Sequence, residues 1–191
     1  CVPNLIVMAP SDENETRQML YTGYKHAGPA AIRYPRGQGP GVDIDATMTE
    51  IEIGRSRTLT KGTRVAILAF GSMAMPARQV AEELSATLID MRFVKPIDTE
   101  AVNLAALGHE LIVTVEENVL GGGAGSAVGE YMHQAGITTP LLQLGVPDTF
   151  VHQDKPANML HNCGLDAEGI GTSIRARLTD LDVPSASAES R

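Results

Sequence analysis

The amino-acid sequence predicts an α/β protein in which helices flank a mostly parallel sheet. Between residues 65 and 148, apolar runs of strand length alternate with segments of helical pattern, which is typical of repeated strand–helix units. Apolar residues make up 43% of the chain, aromatics only 4%, and Trp is absent, so the core must be aliphatic. Aliphatic strands that are buried on both faces are typical of parallel sheets.

Composition and charge exclude several classes of function. The 15 basic and 23 acidic residues give a net charge of −8, so nucleic acid is not an expected partner, because its binding requires a basic face. No apolar run approaches the roughly 18 residues of a membrane span. Cys1 and Cys163 stand far apart and form no disulfide framework, so a reducing cytoplasm is the expected location.

The first unit of the chain is predicted to be strand, helix and strand. Residues 5–9 form an apolar run, the helix extends to Lys25, and residues 30–34 form the next strand. Three elements cannot cover both faces of a sheet. Because the chain also begins at Cys1, in what looks like the middle of a domain, we expect it to be the later part of a longer chain.

The helix of this unit carries a start signal. Ser11 or Asp12 can cap it, and Asp12 with Glu15 fits the Asp-x-x-Glu form of a capping box. Met19, Leu20 and Tyr24 are predicted to lie near one face.

Residues 37–62 are interpreted as an interdomain linker. Glycines and a proline come first, and the apolar–polar alternation of "EIEIGRSRTLTKGT" then predicts an extended or hairpin segment that pairs with itself. A second domain is expected at 63–180, and the small, polar tail at 181–191 is expected to fray. Strands are predicted at 65–71, 86–94, 111–118 and 140–148, and helices at 75–85, from Asp98 onward, after the glycines at 121–123, at 154–162 and at 166–179.

The glycine-rich stretch "NVLGGGAGSAVGE" follows a strand and opens a helix, but its spacing does not fit a dinucleotide site. From Gly123, Val128 stands where a third Gly or Ala is required, and no acidic residue follows about 20 positions on. We expect the glycines to let the helix start pack closely against neighbouring backbone.

Glu116 and Glu117 are adjacent on a predicted strand. Neighbouring strand residues point to opposite faces, so the two cannot act as an acid/base couple, and we expect one of them to order the glycine loop by accepting backbone N–H groups. The histidines show no metal-ligand spacing, and neither catalytic nor metal residues are predicted in the chain. They are His26, His109, His133, His152 and His161.

Two arginines stand where the second strand ends, in "AAIRYPRG". Surface salt bridges are one interpretation of Arg33 and Arg36. The other is an anion site, because ligands bind at the carboxyl ends of strands in open α/β sheets. Arg36 follows a stiff Pro35 and precedes glycines, and guanidinium is well suited to phosphate.

Several motifs together resemble the C-terminal portion of the 1-deoxy-D-xylulose-5-phosphate synthase family, over nearly all of residues 1–179. They are "APSDENETRQML", "GPAAIRYPRG", "DMRFVKPID", "VTVEEN", "GGAGSAV", "LGVPDTFV" and "GLDAEGI". Some are shared with transketolase-type C-terminal domains and with β subunits of 2-oxo acid dehydrogenases. The segment "VHQDKPANMLHNC" departs from the family pattern.

The resemblance implies a homodimeric transferase that condenses pyruvate with D-glyceraldehyde 3-phosphate to 1-deoxy-D-xylulose 5-phosphate and CO2. The product serves isoprenoid, thiamine and pyridoxal synthesis. Thiamine diphosphate and Mg²⁺ would lie between two upstream domains, so the chain alone is expected to be inactive.

Residue by residue, the resemblance implies that positions 1–36 end a pyrimidine-binding domain and that positions 63–180 form a transketolase-type C-terminal domain. Arg36 matches the family's phosphate-binding arginine, and Arg33 is left with a structural role. Two alternatives stay open: a β-type subunit or C-terminal domain of a 2-oxo acid dehydrogenase or transketolase, and a non-catalytic α/β regulatory module.

Overall fold

A computed structural model of the chain describes residues 2–182, which form two sheets. The strands are β1 (Ile6–Met8), β2 (Ala30–Ile32), β3 (Arg57–Thr60), β4 (Val65–Phe70), β5 (Thr87–Asp90), β6 (Phe93–Lys95), β7 (Leu111–Val119) and β8 (Leu141–Val146). The helices are α1 (Glu13–Lys25), α2 (Ala74–Leu84), α3 (Thr99–Gly108), α4 (Ala124–Gln134), α5 (Pro156–Asn162) and α6 (Ala167–Asp182). None of the helices within residues 2–182 combines the length and apolar character that a membrane crossing requires.

The larger sheet has five strands in the order β3-β5-β4-β7-β8. The three internal pairings, β4 with β5, β4 with β7 and β7 with β8, are parallel, and the edge strand β3 is antiparallel to β5. The predicted fold class, a mostly parallel sheet flanked by helices, is confirmed. Every residue of β4 is buried, as expected for a continuous apolar run in the centre of a parallel sheet.

The alternation of side chains along β4 divides the core into two layers. Val65, Ile67 and Ala69 contribute to the layer that contains residues of α2 and α6. The intervening residues, Ala66, Leu68 and Phe70, contribute to the layer that contains residues of α3 and α4. The six-residue strand β4 therefore contributes side chains to the core layers on both faces of the larger sheet.

The smaller sheet has the order β2-β1-β6. Strands β1 and β2 are parallel and flank α1 in sequence, so the predicted strand–helix–strand unit is confirmed. Its third strand, β6, comes from the later part of the chain and is antiparallel to β1. The small sheet of the first unit thus gains its third strand, β6, from the second part of the chain.

The single strand predicted at 86–94 is wrong, because the structure divides it between the two sheets. β5 ends at Asp90, and β6 begins at Phe93. Arg92 between them has φ +58°, in the left-handed region. Between β5 and β6 the main chain is hydrogen-bonded to both sheets. The Met91 N–H donates to Ala69 O of β4 at 2.9 Å, and Arg92 O accepts the N–H of Ala9, the residue after β1, at 2.8 Å.

Helix α1 begins as predicted but buries a different face. Asp12 Oδ1 accepts the Glu15 N–H at 2.8 Å, which confirms the cap. Leu20 and Tyr24, however, are 50% and 84% exposed, whereas Met19 is fully buried. The prediction of a Met19–Leu20–Tyr24 face is therefore wrong, because polar residues occupy the inward positions beside Met19; they are Glu15, Gln18 and Thr22.

The predicted self-pairing of the 37–62 segment is also wrong. Its last part contains β3, which pairs with β5 rather than within the segment. Residues 37–50 are exposed and run along α1, where the Ile51 N–H donates to Thr22 Oγ1 at 2.8 Å and the Thr49 N–H donates to Gln18 Oε1 at 2.6 Å. Of the predicted tail, residues 181 and 182 end α6 and the rest lies outside the described residues. The domain boundaries themselves stay a prediction.

Candidate functional site: the carboxyl ends of the strands

A cleft of about 200 Å³ opens between the two sheets. Its apolar lining comes from both of them, with Val7 and Ala9 on one side and Phe70 on the other. The glycine-rich turn before α4 closes one end, and Arg33 contributes to the lining. The cleft therefore lies where β1, β4 and β7 finish, which is the edge where open α/β sheets bind ligands.

Glu116 orders the glycine-rich turn. Its side chain is 3% exposed, and its two carboxylate oxygens accept the N–H groups of Ala124 and Gly125 at 2.7 and 2.8 Å. A carboxylate at a helix N-terminus is favoured by the free N–H groups and the helix dipole. The prediction that one glutamate organises this loop is confirmed.

This arrangement leaves little room for a diphosphate. The amides of Ala124 and Gly125, which a phosphate would need, already donate to Glu116. A Cβ on Gly123 would lie 2.5 Å from Val119 O, so glycine is needed for close approach of backbone. Both facts fit the packing interpretation of the glycines better than a nucleotide site.

Glu117 faces a different set of partners. Ser72 Oγ donates to its Oε2 at 2.8 Å, and Arg33 Nη1 lies 3.7 Å from the same oxygen. Arg33 Nη2 also donates to the main-chain oxygen of Glu117 at 2.6 Å. Arg33 thus ties the end of β2 to the end of β7, in the other sheet.

Arg36 lies three residues further on, in an exposed loop. It forms neither a hydrogen bond nor an ion pair with another residue of the described range 2–182. The two arginines of "RYPRG" therefore differ, since Arg33 is occupied by a partner and Arg36 presents a guanidinium to solvent.

A buried ionic network, which sequence reasoning missed, joins the two sheets. Glu15 of α1, 3% exposed, accepts Arg92 Nε at 2.8 Å, with Arg92 Nη2 at 2.6 Å from the same oxygen. Asp90 is fully buried and lies 3.2 Å from Arg57 Nη2, which in turn is 3.4 Å from Glu15 Oε1. The available signal was the presence of Asp90 and Arg92 within an otherwise apolar strand pattern.

The network changes the ionisation of Asp90. Burial, followed by the nearby Glu15 carboxylate, raises the pKa of Asp90 to about 7, and Arg57 and Ser11 oppose this only in part. The network connects α1, through Glu15, with β3 through Arg57 and with the end of β5 through Asp90.

The histidines occupy separate places. His109 contacts Ala105 O at 2.9 Å and Thr87 Oγ1 at 2.8 Å. His161 lies 2.6 Å from Asp166, and this carboxylate raises the pKa of the imidazole. In residues 2–182, no three His, Cys, Asp or Glu side chains form a group that could hold a metal ion.

The sheet order, the covering helices and the glutamate-ordered turn define the C-terminal type of α/β domain found in transketolases. Residues 54–170 match the family model "Transketolase, C-terminal domain". The chain belongs to this family.

Curated relatives are similar over almost the whole chain. The 1-deoxy-D-xylulose-5-phosphate synthase of Pseudomonas entomophila (strain L48) is 52% identical over 181 residues, which are 95% of this chain and 29% of that protein. The synthase of Nitrosospira multiformis is 56% identical over 177 residues, 93% of this chain and 29% of that protein. The chain thus spans less than a third of the length of these relatives.

Solved structures agree on the fold. One described as "Split gene transketolase, inactive beta4 tetramer" has a TM-score of 0.80 and 31% identity, over 93% of this chain and 59% of that one. Transketolase from Campylobacter jejuni has a TM-score of 0.65 at 15% identity, over 91% of this chain and 26% of that one, which indicates a shared fold alone.

Proposed function

We propose that this chain is the C-terminal part of a thiamine diphosphate-dependent 1-deoxy-D-xylulose-5-phosphate synthase. That enzyme would condense pyruvate with D-glyceraldehyde 3-phosphate, release CO2 and supply isoprenoid, thiamine and pyridoxal synthesis. The observation that carries the proposal is the identity of 52% and 56% to relatives of that name, over 95% and 93% of the chain. Cofactor and Mg²⁺ would be bound by other parts of the protein, and the location would be the cytoplasm.

Within this enzyme, Arg36 would bind the phosphate of the aldehyde substrate. Three features support the assignment: the strand-end position, the absence of an internal partner in residues 2–182, and the glycine-containing loop that leaves space for a ligand. A guanidinium holds a phosphate through paired, charge-assisted hydrogen bonds. The chain would otherwise contribute packing surface within a homodimer.

Replacing Arg36 in the full-length enzyme tests the proposal. Arg36→Ala is expected to lower kcat/KM for D-glyceraldehyde 3-phosphate by about 30- to 1000-fold, because roughly 2–4 kcal/mol of charge-assisted bonding is lost. The KM for pyruvate, which has no phosphate, should change far less. Arg36→Lys should recover part of the loss, since it restores the charge without the planar fork. Equal damage to both substrates, or none to the aldehyde phosphate, would show that the assignment is wrong.

The chain produced alone is expected to be inactive. Calorimetry should detect no Mg²⁺-dependent binding of thiamine diphosphate by residues 1–191, with the full-length enzyme as the positive control. Micromolar binding by the chain alone would contradict the proposal that other parts of the protein hold the cofactor.

A second candidate is a subunit of a split enzyme that works with a separate partner chain. The similarity to the split gene transketolase, with a TM-score of 0.80 at 31% identity, is the observation that favours it. Native mass spectrometry of the protein from its own cells distinguishes the two. One covalent chain supports the synthase, and a non-covalent partner subunit supports the split enzyme.

A further inference from the structure

The loop that carries Arg36 is exposed yet held at both ends. Residues 33–41, called here the arginine loop, are all exposed. The loop starts directly after β2 and ends at Gly41, whose φ of +80° favours glycine. Arg36 stands near its middle.

The first anchor is Arg33. Its main-chain N–H donates to Met8 O at 2.8 Å, which continues the pairing of β2 with β1. Its side chain donates to Glu117 O at 2.6 Å, and Nη1 lies 3.7 Å from the Glu117 carboxylate. Ser72 Oγ, 2.8 Å from that carboxylate, fixes its orientation. The loop start is therefore attached to both sheets.

The second anchor is Glu13, the first residue of α1. Its Oε1 accepts the Gly41 N–H at 2.7 Å, and this bond is the largest cause of the lowered pKa of Glu13. A Cβ at position 39 would collide with the same carboxylate, so a side chain there would displace Glu13 from its present position beside Gly41. The loop end therefore rests on the helix start.

Arg36 lies between two anchors that are eight residues apart along the chain. It lies three residues after Arg33 and five before Gly41, and Pro35 restricts both its own φ and the conformation of Tyr34. Closing a short loop in advance removes ordering cost that ligand binding would otherwise bear. We propose that Arg33 and Glu13 are positioning residues that preorganise the arginine loop, so that Arg36 meets a phosphate in the binding geometry.

This inference rests on the proposed function of Arg36, and the experiment separates the two. In the full-length enzyme, kcat/KM is measured for D-glyceraldehyde 3-phosphate and for D-glyceraldehyde, which lacks the phosphate. Arg33→Ala and Glu13→Ala are expected to lower kcat/KM for the phosphate substrate by about 3- to 20-fold, the scale of one partly exposed charge-assisted contact. The value for D-glyceraldehyde and the KM for pyruvate should stay within about twofold.

Conservative substitutions at positions 33 and 13 test whether kcat/KM for the phosphate substrate can be restored. Arg33→Lys keeps a cationic donor, and Glu13→Gln keeps the oxygen that accepts the Gly41 N–H, so both should recover most of the loss. Arg64→Ala is the matched control, because Arg64 is also a half-exposed arginine with carboxylate partners, Glu110 and Asp182, but precedes β4 at the opposite end of the sheet. It should leave both aldehydes unaffected.

A double-mutant cycle decides whether Arg33 acts through Arg36. In an Arg36→Ala background, Arg33→Ala is expected to cost nothing further in kcat/KM. A full additional loss, an equal loss for both aldehydes, or no loss from either Ala variant would overturn the positioning role while leaving Arg36 as the phosphate ligand. If Arg36→Ala itself fails to discriminate between the two aldehydes, the proposed function of Arg36 fails and the positioning role with it.

Discussion

Asp90 shows how burial changes the charge of a single side chain. It is fully buried, and its carboxyl lies beside Glu15, with Arg57 at 3.2 Å and the Arg92 N–H donating to it at 3.2 Å. Desolvation favours the neutral acid, and the neighbouring carboxylate adds to this, so the pKa rises to about 7. Arg92 instead pairs directly with Glu15, with Nη2 2.6 Å from Oε1.

The raised pKa makes stability depend on pH. In the unfolded chain Asp90 ionises near its ordinary pKa of 3.8, whereas the folded protein keeps the proton up to about pH 7. Between these values the folded state binds a proton that the unfolded state has lost. The free energy of unfolding contributed by Asp90 therefore falls as the pH rises through this window, and it levels off above it.

Asp90→Asn tests this dependence, because Asn resembles the neutral acid and cannot ionise. We expect the free energy of unfolding of the variant, relative to wild type, to rise by about 1–3 kcal/mol between about pH 5 and about pH 8. Urea denaturation of the full-length protein at both pH values measures this difference. Asp180→Asn, on the exposed side of α6, should give a flat difference. A difference for Asp90→Asn that is flat or falls with pH would contradict the assignment.

Gly123 is the residue at which the glycine-rich turn has least space. A Cβ there would lie 2.5 Å from Val119 O, a main-chain atom that cannot move independently. Gly123→Ala is therefore expected to destabilise the protein by about 2–4 kcal/mol. Gly108→Ala is the control, since nothing lies within 4 Å of its Cβ position, and it should change stability by less than about 1 kcal/mol. Thermal unfolding of both variants measures the two losses of stability. Equal losses for Gly123→Ala and Gly108→Ala would contradict the close packing at Gly123.

At the scale of single elements, α1 has an inward face that is mostly polar. Thr22 and Gln18 bond to the main chain of residues 49 and 51, and Glu15 bonds to Arg92. Met19 alone supplies a fully buried apolar side chain, packed with Ile6, Met8 and Phe93. The helix is thus attached by hydrogen bonds and one anchor rather than by an apolar stripe.

Matched substitutions on α1 check this orientation. Met19→Ala should cost about 2–5 kcal/mol, because it leaves a cavity in the small cluster. Leu20→Ala, at a position that is 50% exposed, should cost less than about 1 kcal/mol. Chemical denaturation of the full-length variants measures both. A larger effect for Leu20→Ala would restore the face predicted from the sequence.

The elements differ in how well the sequence predicts them. β4 is a continuous apolar run that is buried throughout, and β7 begins with a mostly apolar run whose first six residues are buried, so local composition is sufficient. The break between β5 and β6 is not local, because it depends on Ala69 and Ala9, which bond to the main chain of Met91 and Arg92. The inward polar face of α1 has the same origin, since its partners come from residues 45–51 and from Arg92.

The residues of the candidate site also differ in how well the sequence predicts them. The carboxyl-end position and the residue types of Arg33 and Arg36 are visible in the sequence, and the resemblance distinguishes Arg36. The contact of Arg33 with Glu117 joins residues 84 positions apart, so residue spacing along the sequence does not predict this contact. The sequence predicts that either Glu116 or Glu117 orders the glycine-rich turn, and the structure identifies Glu116, which accepts the N–H groups of Ala124 and Gly125.

At the scale of the whole molecule, the contacts that join the first unit to the larger domain include a strand pairing and two contacts of arginine side chains. β6 pairs with β1, Arg92 pairs with Glu15, and Arg33 bonds to Glu117. The first two lie around a core that contains Met8, Met19 and Phe93, all fully buried. The loop that carries Arg36 is therefore supported by residues of the C-terminal domain, although it belongs to the preceding unit.

Arg92→Ala is expected to loosen this joint without unfolding the larger sheet. Glu15, with a side chain 4% exposed, would keep the more distant Arg57 at 3.4 Å and the Ser11 hydroxyl at 3.3 Å, and a buried carboxylate that loses its closest cation costs about 2–4 kcal/mol. The additional variant Glu15→Gln should recover part of this cost, because it removes the uncompensated charge.

Hydrogen exchange on the full-length protein locates the loss. We expect protection to fall in β1 and α1, and to remain high in β4, which lies at the centre of the five-stranded sheet. Arg55→Ala is the control and should leave β1 unchanged, because its nearest partners Glu52 and Glu100 are exposed and its contact with the buried Asp98 is long, at 3.9 Å. If β4 lost as much protection as β1 in Arg92→Ala, the two sheets would open as one cooperative unit, and the joint would be part of a single core rather than a contact between two.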